Sequence, residues 1–95
     1  MTIELPKTKF SEQVVQDVVH AALRDQANLA RLRAAQFASE CRAFEERFHM
    51  TTDEFTKKFE AGELGDDEAW FDWYASARGL KIWKVKAQVL GEVAA

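Results

Sequence analysis

An all-α fold is predicted: a long helix, a short capped helix and a return helix forming a helical hairpin, read as dimeric. Three observations predict it. Only four glycines and one proline occur in 95 residues, too few for a chain rich in turns. Residues 11 to 49 contain neither, and are rich in Ala, Leu, Arg, Glu and Gln, which form helices well. From Leu23 to Phe48 apolar residues recur at alternating steps of four and three, a helical period.

Residues 1 to 10, with Pro6, read as an extended N-terminal arm, and residues 11 to 95 as one helical domain. Ser11 is placed to cap the first helix, with Phe10 and Val15 around it as a hydrophobic staple. That helix is expected to reach about His49, with an irregularity near Asp25 to Asn28. His49 would then interact with the terminal carbonyls. Thr51 followed by Glu54 is a capping box, and Met50 with Phe55 its staple. Gly62 marks the stop, since glycine tolerates the left-handed conformation there.

The next stretch, GELGDDEAWFDWYA at 62 to 75, is dense in carboxylates and aromatics. Asp66 reads as an N-cap, and Asp67 and Glu68 as first-turn anions on exposed N–H groups. A third helix over about 67 to 91 follows. Lys81, Lys84 and Lys86 sit towards its other end, where cations are favoured. Trp70, Trp73, Ala77, Leu80, Ala87 and Leu90 share one face, with Trp83 at its margin. Phe71 and Tyr74 are expected to widen the buried arc, and Gly79 to mark close packing or a local weakness.

The first helix carries two apolar stripes. Leu23, Ala27, Ala30, Ala34, Phe37, Cys41, Phe44 and Phe48 form a heptad seam, small in its first half and large in its second. The aromatic face of the return helix suits that seam. Val14, Val18, Leu29 and Leu32 lie on the other side. The shorter return helix cannot cover both, so the N-terminal half of the first helix is expected to be partly bare. An apolar stripe of that kind points to a second copy of the chain or to another protein.

Several function classes are disfavoured by composition. The net charge is −3, whereas a duplex-DNA binder is normally basic. Cys41 is the only cysteine, so no intrachain disulfide can form. It falls on the seam, where an inert thiol is expected. With no signal peptide and no long apolar run, a cytoplasmic location is expected. Glu63, Asp66, Asp67 and Glu68 could attract a hard cation, but they lack the alternating ligands and central glycine of a calcium loop. His20 and His49 have no second His or Cys at ligand spacing. No nucleophilic triad, phosphate loop or zinc pattern is present. The reading is of a non-enzyme without catalytic residues, metal or cofactor. A metal-dependent enzyme built on the Glu63–Asp72 carboxylates is a rival.

Charge is unevenly spread. Eight acidic residues lie between Asp53 and Asp72 against Lys57 and Lys58, while Arg78 to Lys86 holds four basic residues and no acidic one. Helix electrostatics and solvation suffice to explain this. A functional reading makes the acidic, aromatic end a dock for a basic partner. The alternative is a small nucleic-acid-binding regulator using Arg24, Arg31, Arg33, Arg78, Lys81 and Lys84.

The segment FEERFHMTTDEFTKKFEAGELGDDEAWFDWYAS, residues 44 to 76, resembles a group of small prokaryotic helical proteins. The matching positions are Phe44, Glu45, Met50, Phe55, Phe59, Gly62, Glu63, Leu64, Gly65, Asp66, Asp67, Trp73 and Ala75. Where that pattern has Tyr-Gly before the methionine, this chain has Phe48-His49. Such proteins are often encoded beside small toxin-like proteins of the TumE type. The resemblance therefore implies an antitoxin-like role in a toxin–antitoxin pair. Read from the uncovered stripe and the acidic segment, the first helix would dimerise or clasp a partner through Val14, Val18, Leu29 and Leu32, with Glu63, Asp66 and Asp67 complementing a basic surface.

Overall fold

A helix begins where a side chain can accept from an otherwise unpaired first-turn amide. Ser11 does so: its Oγ accepts from Val14 N–H at 3.3 Å, and α1 runs Glu12–Phe48. The computed structural model describes residues 7–95. The first six residues of the expected arm lie outside them. Residues 9 and 10 bend just before the cap, with Phe10 N–H donating to Thr8 Oγ1 at 3.1 Å. α1 is unbroken through Asp25–Asn28, so the expected irregularity is absent. Asn28 accepts a hydrogen bond from Arg31 one turn on, so its side chain is engaged away from its own backbone.

Two tight turns follow. His49 takes the left-handed conformation (φ 55°, ψ 41°), and its backbone N–H donates to Glu45 O at 2.9 Å. The backbone closes the helix; among the described residues the His49 imidazole makes no hydrogen bond to the terminal carbonyls, contrary to expectation. α2 is Thr52–Glu60, with Thr51 Oγ1 accepting from Glu54 N–H at 3.1 Å. Its next amide is satisfied from α1, by Glu45 Oε2 accepting from Thr52 N–H at 2.7 Å. Gly62 (φ 71°) ends α2: Gly62 N–H donates to Phe59 O and Glu63 N–H to Lys58 O, the paired bonds of a Schellman turn.

α3 is Glu68–Ala94. Its cap is Asp67 where Asp66 was expected, because Asp67 Oδ1 reaches Ala69 N–H at 2.9 Å. The helix runs past Gly91, so no basic residue lies in its last turn. Helix-end electrostatics therefore do not explain Lys81, Lys84 and Lys86, which sit in mid-helix.

The result is an all-α hairpin in which α3 packs antiparallel on α1 and α2 plugs the closed end. Ser76 Oγ donates to Glu40 Oε2 at 2.8 Å, Gly79 faces Phe37, and Trp83 meets Arg33, which sets one register along the pair. A Cβ on Gly79 would lie 2.7 Å from the Phe37 ring, so a side chain there would force the ring to move. Continued at the same register, the end of α3 falls beside about residue 22 of α1. The whole inner seam from Leu23 on is thus paired, and Ala27 and Ala30 are buried. Only about ten residues of α1, roughly 15 Å, extend beyond α3. That is less than the half-helix expected.

The core lies at the α2 end. Phe55 and Trp73 are both fully buried, with ring centroids 4.0 Å apart and planes 3° from parallel. Phe44 and Phe48 stack on Trp73 at 5.6 and 5.8 Å, and Trp70, Phe59, Met50 and Leu64 surround them. The other end of the hairpin is thin. The molecule measures 59 × 22 × 19 Å and exposes 7275 Å². A folded monomer of 10.9 kDa typically exposes about 5,600 Å².

Two substitutions at the closed end should move stability in opposite directions. Phe55→Ala removes a ring from a site too well packed to collapse, and should cost about 3–5 kcal/mol. His49→Gly relieves a left-handed residue and should gain about 0.5–1 kcal/mol after the entropy of a freer unfolded chain is subtracted. Urea denaturation followed by circular dichroism measures both.

Candidate functional site

Residues left uncovered by the hairpin are the candidates for contact. On α1, Val14, Val18, Leu29 and Leu32 are all exposed, Val18 and Leu32 by more than 60% of their surface. They lie on the side away from α3 because their steps fall between those of the inner seam. The four do not form one stripe. Exposed Asp25 interrupts them, leaving Val14 and Val18 near the overhang and Leu29 with Leu32 at mid-helix. Phe10, Val14, Val15, Val18 and Val19, with Thr8, line a shallow apolar groove on the overhang. Phe10 and Val15 thus share a surface as the staple requires, but Phe10 stays 59% exposed.

Glu63, Asp66 and Asp67 are exposed on the α2–α3 loop. That loop sits at the closed end, whereas Val14 and Val18 sit at the open end of a molecule 59 Å long. The apolar and acidic parts of the expected binding surface are therefore not brought together. Leu29 and Leu32 lie between them. Among the described residues no three of His, Cys, Asp and Glu converge to hold a metal ion. No helix among them is long and apolar enough to cross a membrane.

A second uncovered face lies on α3. Phe71, Ile82, Val85 and Val89 are exposed by 47–53%. The sequence reading placed Phe71 in the buried arc. Instead it meets Phe59 edge-on at 5.5 Å and turns its other side to solvent. Tyr74 does join the inner face, stacked on Phe59 at 4.6 Å with its hydroxyl donating to Glu60 Oε2 at 2.9 Å. The signal for the outer face was present as residues at four-and-three steps from Phe71 to Val89, apolar but for Arg78. It runs beside the stronger tryptophan pattern, which drew the helix assignment to the other side.

The interior polar groups are engaged in structure. Thr52 joins all three helices: its N–H donates to Glu45 and its hydroxyl accepts from Trp73 Nε1 at 3.1 Å. Burial pushes the Cys41 thiol above its ordinary value; the nearby Thr52 side chain opposes this, and Glu45 and Glu40 add to it. A thiol held protonated is a poor nucleophile. Of the basic side chains, Arg33 and Lys86 lie over Trp83 and Arg78 lies near Tyr74. Arg24, Arg31, Lys81 and Lys84 are exposed.

Comparison of the chain with protein-family models, with curated proteins and with solved structures finds no match.

The thiol gives a direct check on the core. Cys41 is only 4% exposed, so an alkylating reagent should modify it slowly in the folded chain and at once in urea. On alkaline titration the unfolded chain should lose its thiol proton first, because the folded thiol's pKa is raised. The Cys41 contribution is then intact below pH 9.0 and is lost as pH rises through the folded value. Melting temperatures of wild type and Cys41→Ala across pH 8–11 should show the steeper fall in wild type, since every other titrating group is common to both.

Proposed function

We propose that this chain is a non-catalytic protein-binding module, the antitoxin-like member of a pair with a small basic toxin-like protein, acting in the cytoplasm. The observation that carries this reading is the uncovered outer face of α1, with Val14, Val18, Leu29 and Leu32 in solvent. Exposed apolar side chains at this density are covered in assemblies. The acidic loop at Glu63, Asp66 and Asp67, and the resemblance of residues 44 to 76, support it further.

The distance between the two surfaces defines the mechanism. A partner seated on the α1 overhang would bury Val14 and Val18. The acidic loop would act on the approach of a basic protein or on a second, extended part of it. Apolar burial would hold the complex, and charge would set its rate of formation and salt dependence.

Affinity purification of the full chain from its native lysate, with mass spectrometry, tests this. A small basic protein should copurify in stoichiometric amount with the wild type. It should be lost from Val14→Asp/Val18→Asp and Leu29→Asp/Leu32→Asp, and retained only at low salt by Asp66→Lys/Asp67→Lys. A chain that emerges alone, or a partner kept by every variant, refutes the reading.

One observation favours a second reading, nucleic-acid binding. Lys81 and Lys84 sit in mid-helix, where no helix-end role accounts for them. Binding to DNA or RNA that weakens steeply with salt, and that Lys81→Ala/Lys84→Ala weakens across all sequences, would support it. No binding at low salt would exclude it.

A further inference from the structure

We propose that the open half of the hairpin, α1 before Phe37 and α3 after Gly79, parts as one unit while the closed end stays folded. The inference concerns the inner seam and is independent of the partner reading, which rests on the outer side of α1. Among the described residues, every aromatic stack and every side-chain hydrogen bond between different helices lies within residues 40 to 76. Beyond them Phe37 covers Gly79, and Trp83 takes the Arg33 guanidinium over its ring, 5.1 Å from the centroid. Burial divides at the same place. Cys41, Phe55, Trp73 and Ser76 are buried on one side of it. On the other side Ala27 and Ala30 are, and no residue of α3 after Gly79 is. Alanine brings little apolar area to a contact even when fully covered, so the seam there fits closely but holds weakly.

Gly79 sets the boundary on α3. A glycine inside a helix is a weak point, because its backbone gains the most freedom on unfolding. Its neighbour across the seam is Phe37, one turn beyond the Glu40–Ser76 hydrogen bond. The well-anchored part thus ends at one level on both helices.

Each arm depends on the other. The α3 arm, from Leu80 to Ala94, has about fifteen residues, a marginal length for a helix alone in water. The α1 arm already turns Val14, Val18, Leu29 and Leu32 to solvent, so the inner seam is its one covered side. When the arms part, both lose backbone protection together. Parting uncovers Leu23, Ala27 and Ala30 on one arm and Trp83, Ala87 and Leu90 on the other, an apolar surface that the closed hairpin largely hides.

Hydrogen exchange of the full chain, followed amide by amide by NMR, tests the proposal. Residues 23–34 and 82–90 should share one level of protection, at least about tenfold below that of residues 41–48 and 70–76. Phe59→Leu weakens the closed end alone. It should speed exchange there about tenfold and leave both arms unchanged, because the arms part without disturbing Phe59. Trp83→Leu should speed exchange in the arms and at the closed end by one common factor, because partial and global opening both give up the Trp83 contact. Equal protection along the whole hairpin overturns the proposal. So does an effect of Phe59→Leu on the arms as large as at the closed end. Protection that declines gradually towards each helix end, at different levels in the two arms, is separate fraying and overturns it too. Circular dichroism checks that both variants fold. If Phe59→Leu does not, Met50→Ala replaces it, since Met50 packs on the same cluster.

Discussion

The face-to-face contact of Phe55 with Trp73 is the constraint on which the hairpin depends. Both rings are fully buried and lie within 3° of parallel. Phe55 belongs to a helix of nine residues, far too short to persist on its own in water. Trp73 belongs to the helix that must return along α1. Their stack, widened by Phe44 and Phe48, is the apolar contact that fixes α2 to both long helices. The Trp73 N–H would be costly if buried alone, and Thr52 accepts from it. Thr52 is in turn held by Glu45, whose backbone carbonyl also closes α1. One glutamate thus terminates the first helix and starts the second, so the direction in which α3 leaves the turn is set by a few bonds.

Packing weakens along the hairpin from that end. The inner seam of α1 passes from phenylalanines to alanines, so the helices must approach closely where side chains become small. Gly79 against Phe37 marks the transition, the ring filling space that a side chain on α3 would otherwise take. Ala27 and Ala30 then bury almost completely while contributing little apolar area each. A hairpin built this way carries most of its stabilisation at the closed end. It also remains one layer of two helices, and such a layer has no means of covering the far sides of its members.

What was legible in the sequence follows from this layout. The inner seam was read correctly from Leu23 to Phe48 because its period is strict and its members are unambiguously apolar. Ser11, Thr51 and Gly62 were read correctly because capping is local chemistry. The cap of α3 shifted by one residue, since two adjacent aspartates offer the same acceptor and only the backbone of Asp67 is turned to use it. The left-handed residue after α1 was not read, because it is a histidine and no glycine marks the place. The far face of α3 was not read. Trp70, Trp73 and Trp83 outweigh Ile82, Val85 and Val89 in any pattern judged by size, and a helix end placed at about residue 91 gave the lysines a reason to be where they are. Once α3 extends to Ala94 that reason lapses, and the basic stretch becomes a feature of the surface.

The two uncovered faces differ in a way that bears on what each can hold. The outer stripe of α1 is cut by Asp25 into two short patches, one on an overhang with a groove beside it. Separate patches suit short segments or side chains of a different protein, since a continuous partner helix would have to bury the aspartate unpaired. The outer stripe of α3 has no carboxylate between Phe71 and Val89 on the seam, and its one polar member is Arg78. An arginine can lay its stem along an apolar seam and keep its guanidinium in solvent, which an aspartate cannot do. A full-length helix can therefore pass over α3 but not over α1.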